Sequence, residues 1–254
     1  MKHVPGEIRI LPLPLDGEIQ AGDSVAGKLL QAIRQRGLRL EAGDILIVKH
    51  KIVSKAEGQI VDLETIEPSS ESRKWARKYR LDARVVEIAI SQSRRTVRRK
   101  RGVLITETLH GFVCANSGVD VSNVDGGRSA LLLPQDPDRC AGAICRAIKK
   151  HLGISVPVII SDSFGRPWRE GLTEVAIGIA GMKALHDYRR QRDSHQYILQ
   201  ASIEAVADEL ACAAGLVCGK LSRIPACIIR GFAYQKGRGR ARDLIRPAAT
   251  DLFR

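Results

Sequence analysis

Hydrophobic and polar positions along the chain switch repeatedly between two periods. Residues 9–15 and 45–48 are short apolar runs of strand length, and between them residues 24–36 place Val25, Leu29, Leu30 and Ile33 at helical spacing. Residues 70–79 and 82–91 read as charged, partly amphipathic helices, and 103–106 with 111–116 as hairpin strands. Further on, the pattern predicts a helix over 138–151, a buried strand over 157–160 and another strand over 173–179. Residues 202–217 carry Ile203, Val206, Leu210, Ala213, Leu216 and Val217 on one helical face, and a strand at 226–229 follows. Strands and helices alternate without internal repeats, which predicts a mixed α and β class.

Two of the apolar segments stop at a carboxylate. After Ile160 come Ser161, Asp162, Ser163, Phe164, Gly165, Arg166, Pro167, Trp168 and Arg169. After Phe112, Val113 and Cys114 come Asn116, Ser117, Gly118, Val119, Asp120, Val121, Ser122 and Asn123. A polar group at the end of a buried strand needs a partner or a task. Asp162 and Asp120 offer hard oxygens that can share a divalent cation bridging nucleotide phosphates, Ser163 offers a further oxygen, and Arg166 and Arg169 suit phosphate or carboxylate. The same residues also fit ordinary chemistry: an aspartate capping the next turn, and an Asx turn satisfying its own backbone. The segment after the 45–48 strand runs His50, Lys51, Ile52, Val53, Ser54, Lys55, Ala56, Glu57 and Gly58. Its two lysines can reach phosphates, with Glu57 available to pair with either, or it is an exposed helical turn whose ion pair contributes little.

Composition narrows these readings. With 254 residues, 44% of them hydrophobic, the chain can bury a full core, and one large or two modest domains are expected. No apolar run approaches the ~20 residues of a membrane span and the first residues lack a long apolar signal core, so a soluble, cytoplasmic protein without membrane partners is expected. The six cysteines form no Cys-x-x-Cys pair and read as small buried hydrophobes. The formal charge of +13 is concentrated in the 94–101 run and the 236–246 tail, which invites a nucleic-acid reading. Only 4% of residues are aromatic, which leaves little for base stacking, and an anionic small substrate or a solvated face accounts for the charge as well. Residues 22–29 match phosphate-loop spacing up to the last position, where Leu29 cannot supply the hydroxyl that Mg²⁺ requires.

Taken together, the blocks at 11–14, 51–58, 116–123, 133–138, 161–171 and 207–210 closely resemble the coenzyme F420-0:L-glutamate ligases, in the right order and over nearly the whole chain. The resemblance implies an α+β, two-domain mixed α/β protein with an inserted domain: residues 1–85 plus 185–254 as a discontinuous nucleotide-binding domain, and 86–184 as the insertion carrying metal ligands. It implies a homodimeric ligase that uses GTP to join L-glutamate to the deazaflavin F420-0 and then to extend it by γ-linked glutamates, with two divalent cations, Mn²⁺ or Mg²⁺, and K⁺. Carried over residue by residue, it implies that Leu11, Pro12, Leu13, Pro14, His50, Lys51, Lys55 and Asn123 contact GTP. Asp120 and Asp162 hold one cation and Ser163 the other, while Cys218, Gly219, Lys220, Leu221, Ser222, Arg223, Ile224 and Pro225 close over the nucleotide. Lys51 or Lys55 then offsets charge on the transferring phosphoryl group, and Arg166 and Arg169 are candidates to meet the anionic substrate, which makes these four the expected catalytic residues.

The chain departs from this pattern in two places. Lys220 stands where some relatives place a glutamine ligand of the second cation, and a protonated lysine cannot coordinate. Around Arg190 and Gln196 relatives tend to carry glycine, which marks a turn or close backbone approach. Two other readings stand beside the ligase: a related nucleotide-dependent amino-acid ligase acting on another anionic carboxylate, and a nucleic-acid-binding protein using the arginine runs.

Overall fold

The computed structural model describes residues 6–122 and 125–251. Its strands are β1 (Arg9–Leu13), β2 (Ile45–Lys49), β3 (Ile60–Asp62), β4 (Ser93–Lys100), β5 (Val103–Thr108), β6 (Val113–Ala115), β7 (Ser129–Leu131), β8 (Val158–Arg166), β9 (Arg169–Ala180), β10 (His186–Asp187), β11 (Ile203–Glu204) and β12 (Ala226–Arg230). The helices are α1 (Val25–Gln35), α2 (His50–Ala56), α3 (Ser70–Tyr79), α4 (Ala83–Ser91), α5 (Pro137–Leu152) and α6 (Val206–Cys218). The expected α+β class holds.

A five-stranded sheet in the order β1-β12-β2-β8-β9 organises the molecule, with β2 and β8 parallel and the other neighbours antiparallel. Strand alternation divides its side chains between two cores. Leu46, Val48, Val158, Ile160 and Ile228 pack with α1 and α5 on one face. Ile45, Ile47, Ile159, Cys227 and Ile229 pack with α6 on the other. Because both faces are covered, the strands read as continuous apolar runs. Each fully buried isoleucine or leucine contributes about 2 kcal/mol.

β8 and β9, from the segment expected to be inserted, hydrogen-bond into this sheet beside β2. A smaller assembly packs β4-β5-β6 against α3 and α4, with β3 and β7 paired nearby. One reading needs correction. The strand at 157–160 does not stop at Asp162 but runs to Arg166 and returns through β9, because Ser161, Asp162 and Ser163 keep ladder partners at Ala176, Val175 and Glu174. The basic run 94–101 forms most of β4, where Arg95 and Arg99 pair with Glu107 and Glu71. The phosphate-loop spacing at 22–29 is the start of α1, capped by Ser24 Oγ accepting from Gly27 N at 3.1 Å.

β9 lies at the sheet edge, and two half-buried carboxylates occupy two of its outer donors. Ala176 N donates to Asp208 Oδ1 and Ile179 N to Asp138 Oδ1, both at 2.8 Å. Burial pushes both carboxyls up, against the lowering effect of those N–H groups.

Arg190 and Gln196 both adopt positive φ, 65° and 67°. The backbone there holds the conformation that glycine adopts easily, at a steric cost of about 1 kcal/mol per residue. Arg190→Gly and Gln196→Gly should each therefore stabilise the fold by about 0.5–1 kcal/mol; a urea titration showing either variant less stable than the parent would refute the strain.

Candidate active site

The register of the central sheet gathers the site at one end. Leu13 faces Ala226, Ala226 faces Val48, and Val48 faces Ile160. The end of β1 with Pro14, the end of β2 with Lys49 and His50, the middle of β8 and the 218–225 loop before β12 therefore meet along one rim. Asp120 reaches it from the smaller assembly. Its backbone exchanges both hydrogen bonds with Leu131 (3.0 and 2.8 Å), after a turn in which Asn116, Ser117 and Gly118 all have positive φ. Such a turn is costly for non-glycine residues, and Ser117 anchors it: its hydroxyl contacts Thr106 Oγ1 at 2.8 Å and donates to Ala89 O at 2.5 Å.

On the α1/α5 face, Asp162 Oδ1 accepts from His50 Nε2 at 3.2 Å and from Ser163 N at 2.7 Å, while the other ring nitrogen of His50 lies 3.2 Å from Ser54 Oγ. Lys51 Nζ donates to Asp120 Oδ2 at 2.6 Å and to Ser122 Oγ at 3.1 Å, and Ser122 N closes an Asx turn on Asp120 Oδ1. Burial acts to raise both carboxyls, but His50 and the Ser163 amide outweigh it at Asp162, and Lys51 and Ser122 outweigh it at Asp120. Both stay below the ordinary carboxylate range. The charge of Asp120 opposes ionisation of Asp162, so the two carboxylates sense one another. Burial, with the charge of Asp162, pushes the nearby Cys114 thiol up to about 12, which keeps it un-ionised at neutral pH.

Consecutive strand residues face opposite ways, and on the α6 face lies a second cluster. Glu174 is 7% exposed and accepts from Lys49 Nζ at 2.5 Å, Ser161 Oγ at 3.0 Å and Ser163 Oγ at 2.5 Å. Lys220 Nζ donates to Ser163 Oγ at 2.5 Å. Gly215 of α6 makes this possible, since a β-carbon there would come within 2.7 Å of Glu174 Cγ. Lys49 and Glu174 were not anticipated from the sequence. The signal was present: a lone acid among the small and apolar residues of 173–179 must find a buried partner.

Other expected residues lie further out. Lys55 Nζ pairs with Glu18 Oε2 at 2.7 Å. Glu57, expected to pair with Lys51 or Lys55, instead accepts from Gln135 N and Cys140 Sγ, because it sits at the far end of α2 facing the start of α5. Arg166 and Arg169 flank the hairpin turn, four residues or about 13 Å along the strand from Asp162. Arg166 Nη2 donates to Glu170 O, and its Nε is buried without a partner. Leu221 is 92% exposed and Cys218 is buried. Asn123 lies outside the described residues.

Among the described residues no group of three or more His, Cys, Asp or Glu gathers as a ready metal cage. The Asp120–Asp162 pair nevertheless fits one hard cation. Two mutually repelling carboxylates suffice where Mg²⁺ or Mn²⁺ completes its shell with water and phosphate oxygens. No helix is long and apolar enough to cross a membrane.

The Glu174 carboxyl is also held below its ordinary range: burial raises it, but the Lys49 ammonium and the serine hydroxyls prevail. Its stabilisation is complete above the unfolded value of about 4.3 and fades as pH falls through the lower folded value. Glu174→Gln, which strands Lys49, should cost about 3 kcal/mol at pH 7. The gap between variant and parent should narrow below about pH 4; a gap in denaturant melts that stays constant from pH 7 to 3 would contradict the ionised pair.

The chain matches the F420-0:Gamma-glutamyl ligase family over residues 16–231. It is 42% identical to the coenzyme F420:L-glutamate ligase of Methanothermobacter thermautotrophicus over 95% of this chain and 96% of that one. With the enzyme of the same name from Methanopyrus kandleri it shares 40% identity over 97% and 98%. With that of Methanocaldococcus jannaschii it shares 43% over 85% and 86%. Matches of this extent establish that the chain is a ligase belonging to the F420-0:gamma-glutamyl ligase family.

Proposed function

We propose that the chain uses GTP to join L-glutamate to F420-0 through an acyl phosphate. The observation that carries this reading is the meeting of Asp120 and Asp162, from distant segments, beside Lys51 and His50 at one end of the sheet. The relatives' names supply the substrate pair. A carboxylate is a poor electrophile. Transfer of the γ-phosphoryl group to a carboxylate oxygen of F420-0 gives an acyl phosphate and GDP. The glutamate amine then attacks the acyl carbon, phosphate leaves with the C–O bond electrons, and the amine gives up a proton as the amide forms.

Each group has a task in this scheme. Asp120 and Asp162 hold a divalent cation, which when bound draws negative charge from the phosphates. Lys51 moves from Asp120 toward the transferring phosphoryl group, and Lys55 supports it, so that catalysis is mainly positioning and electrostatics. His50, bridging Asp162 and Ser54, fixes the carboxylate's orientation. On the same face as Asp162, Phe164 and Val175 line an apolar cleft with Phe112, Pro167 and Ile245, and Phe112 and Phe164 meet edge to face at 6.2 Å. This cleft suits the flat deazaflavin ring, with Arg166 and Arg169 beyond it for anionic groups.

Asp120→Asn and Asp162→Asn should each lower GDP release that depends on F420-0 and glutamate by at least about 10³-fold in folded protein. Mass spectrometry of the F420-0 product checks this, and near-normal turnover in either variant would remove the assignment. Phe164→Ala should raise KM for F420-0 about tenfold while KM for GTP stays put; a rise in the GTP value alone would place the acceptor elsewhere.

A further inference from the structure

The resemblance implies two divalent cations, with Ser163 a ligand of the second, and the surroundings of Ser163 do not fit that ion. The hydroxyl donates its proton to Glu174 and accepts from Lys220. One of its two lone pairs is therefore held, and its approach crowded, by an ammonium, which has three donors and no electron pair to offer a metal. The nearest carboxylate is no better placed to attract a cation. Glu174 already accepts from Lys49, Ser161 and Ser163. Two ammonium groups thus stand against one carboxylate, so the cluster is net positive before any metal arrives. Across the strand, the Asp120–Asp162 cluster has the opposite character. Its two carboxylates repel each other, against the one ammonium of Lys51, with the His50 ring hydrogen-bonded to Asp162 beside them.

We propose that Lys220 is a built-in replacement for the second cation. The chain binds one divalent ion, at Asp120 and Asp162, and meets phosphate oxygens from the α6 face of β8 with the Lys220 ammonium. Ser163 seats that ammonium, and the Glu174–Lys49 pair fixes the rotamer of Ser163. This rests on the nucleotide reading given above for the first ion. The chemistry favours it: an ammonium bonds phosphate as a point charge, and on a covalent stem it neither exchanges with solvent nor leaves with the product.

The test is a count of bound Mn²⁺ by electron paramagnetic resonance, with a non-hydrolysable GTP analogue whose binding is followed in parallel by calorimetry. The wild-type chain should bind one Mn²⁺ per protomer. Lys220→Gln, which restores a neutral oxygen ligand, should bind two. Lys220→Met, similar in length but unable to coordinate, should bind one and should weaken the analogue about tenfold, the loss of one charge-assisted hydrogen bond. Two ions in the wild type, one in Lys220→Gln, or unchanged analogue affinity in Lys220→Met would each overturn the proposal. Absence of Mn²⁺ from the wild type would also overturn it, and analogue binding in the same samples would show whether the nucleotide reading survives.

Discussion

Neighbouring residues of a strand project to opposite faces, and in β8 this places the carboxylate of Asp162 and the hydroxyl of Ser163 in separate compartments although one peptide bond joins them. Everything at the rim is arranged around that separation. On one side, His50 holds Asp162, Lys51 holds Asp120, and the two carboxylates sense one another. On the other, Lys49, Ser161 and Ser163 converge on Glu174, and Lys220 bonds Ser163. β2 pairs with the strand up to Ser161, and β9 pairs with it through both Asp162 and Ser163. A one-residue slip of β8 against β9 would exchange the two environments and leave a carboxylate against the apolar surface of α6. The register is therefore as much a part of the site as any side chain.

The electrostatics of the two compartments differ in kind. The Asp120–Asp162 side brings two carboxylates to the rim, where each opposes the other's charge. The Glu174 side balances its acid internally and leaves an ammonium over. A triphosphate lying across the strand end would thus meet a bound metal on one flank and a fixed ammonium on the other, an arrangement that surrounds the transferring group with positive charge without bringing two ions close together.

Much of this was legible in the sequence. The apolar runs of β1, β2 and β12, the 3.6-residue spacing of α1 and α6, and the carboxylates at 120 and 162 all carried local signals. The length of β8 was not legible, because Ser-Asp-Ser has low intrinsic strand preference and only the facing residues of β9 keep it extended. Nor was the role of Glu174, whose partners lie at positions 49, 161 and 163 and meet only after the sheet has formed. The partners of Arg95 and Arg99 in the basic run at 94–101 were hidden for the same reason, since no local window links them to Glu107 and Glu71. The missing glycines at 190 and 196 pointed to an altered backbone, yet both residues hold a left-handed conformation, so the turn geometry outlasts the loss of the residue that most easily adopts it.

The carboxylates of Asp138 and Asp208 along β9 bear on how copies of this chain can meet. An edge strand with open N–H groups is a template on which another chain can add its own strand. Here the amides of Ala176 and Ile179 are already engaged by half-buried acids, so a neighbour would have to break both bonds to extend the sheet at that stretch. At that stretch, association across the edge is thereby left to side-chain contacts.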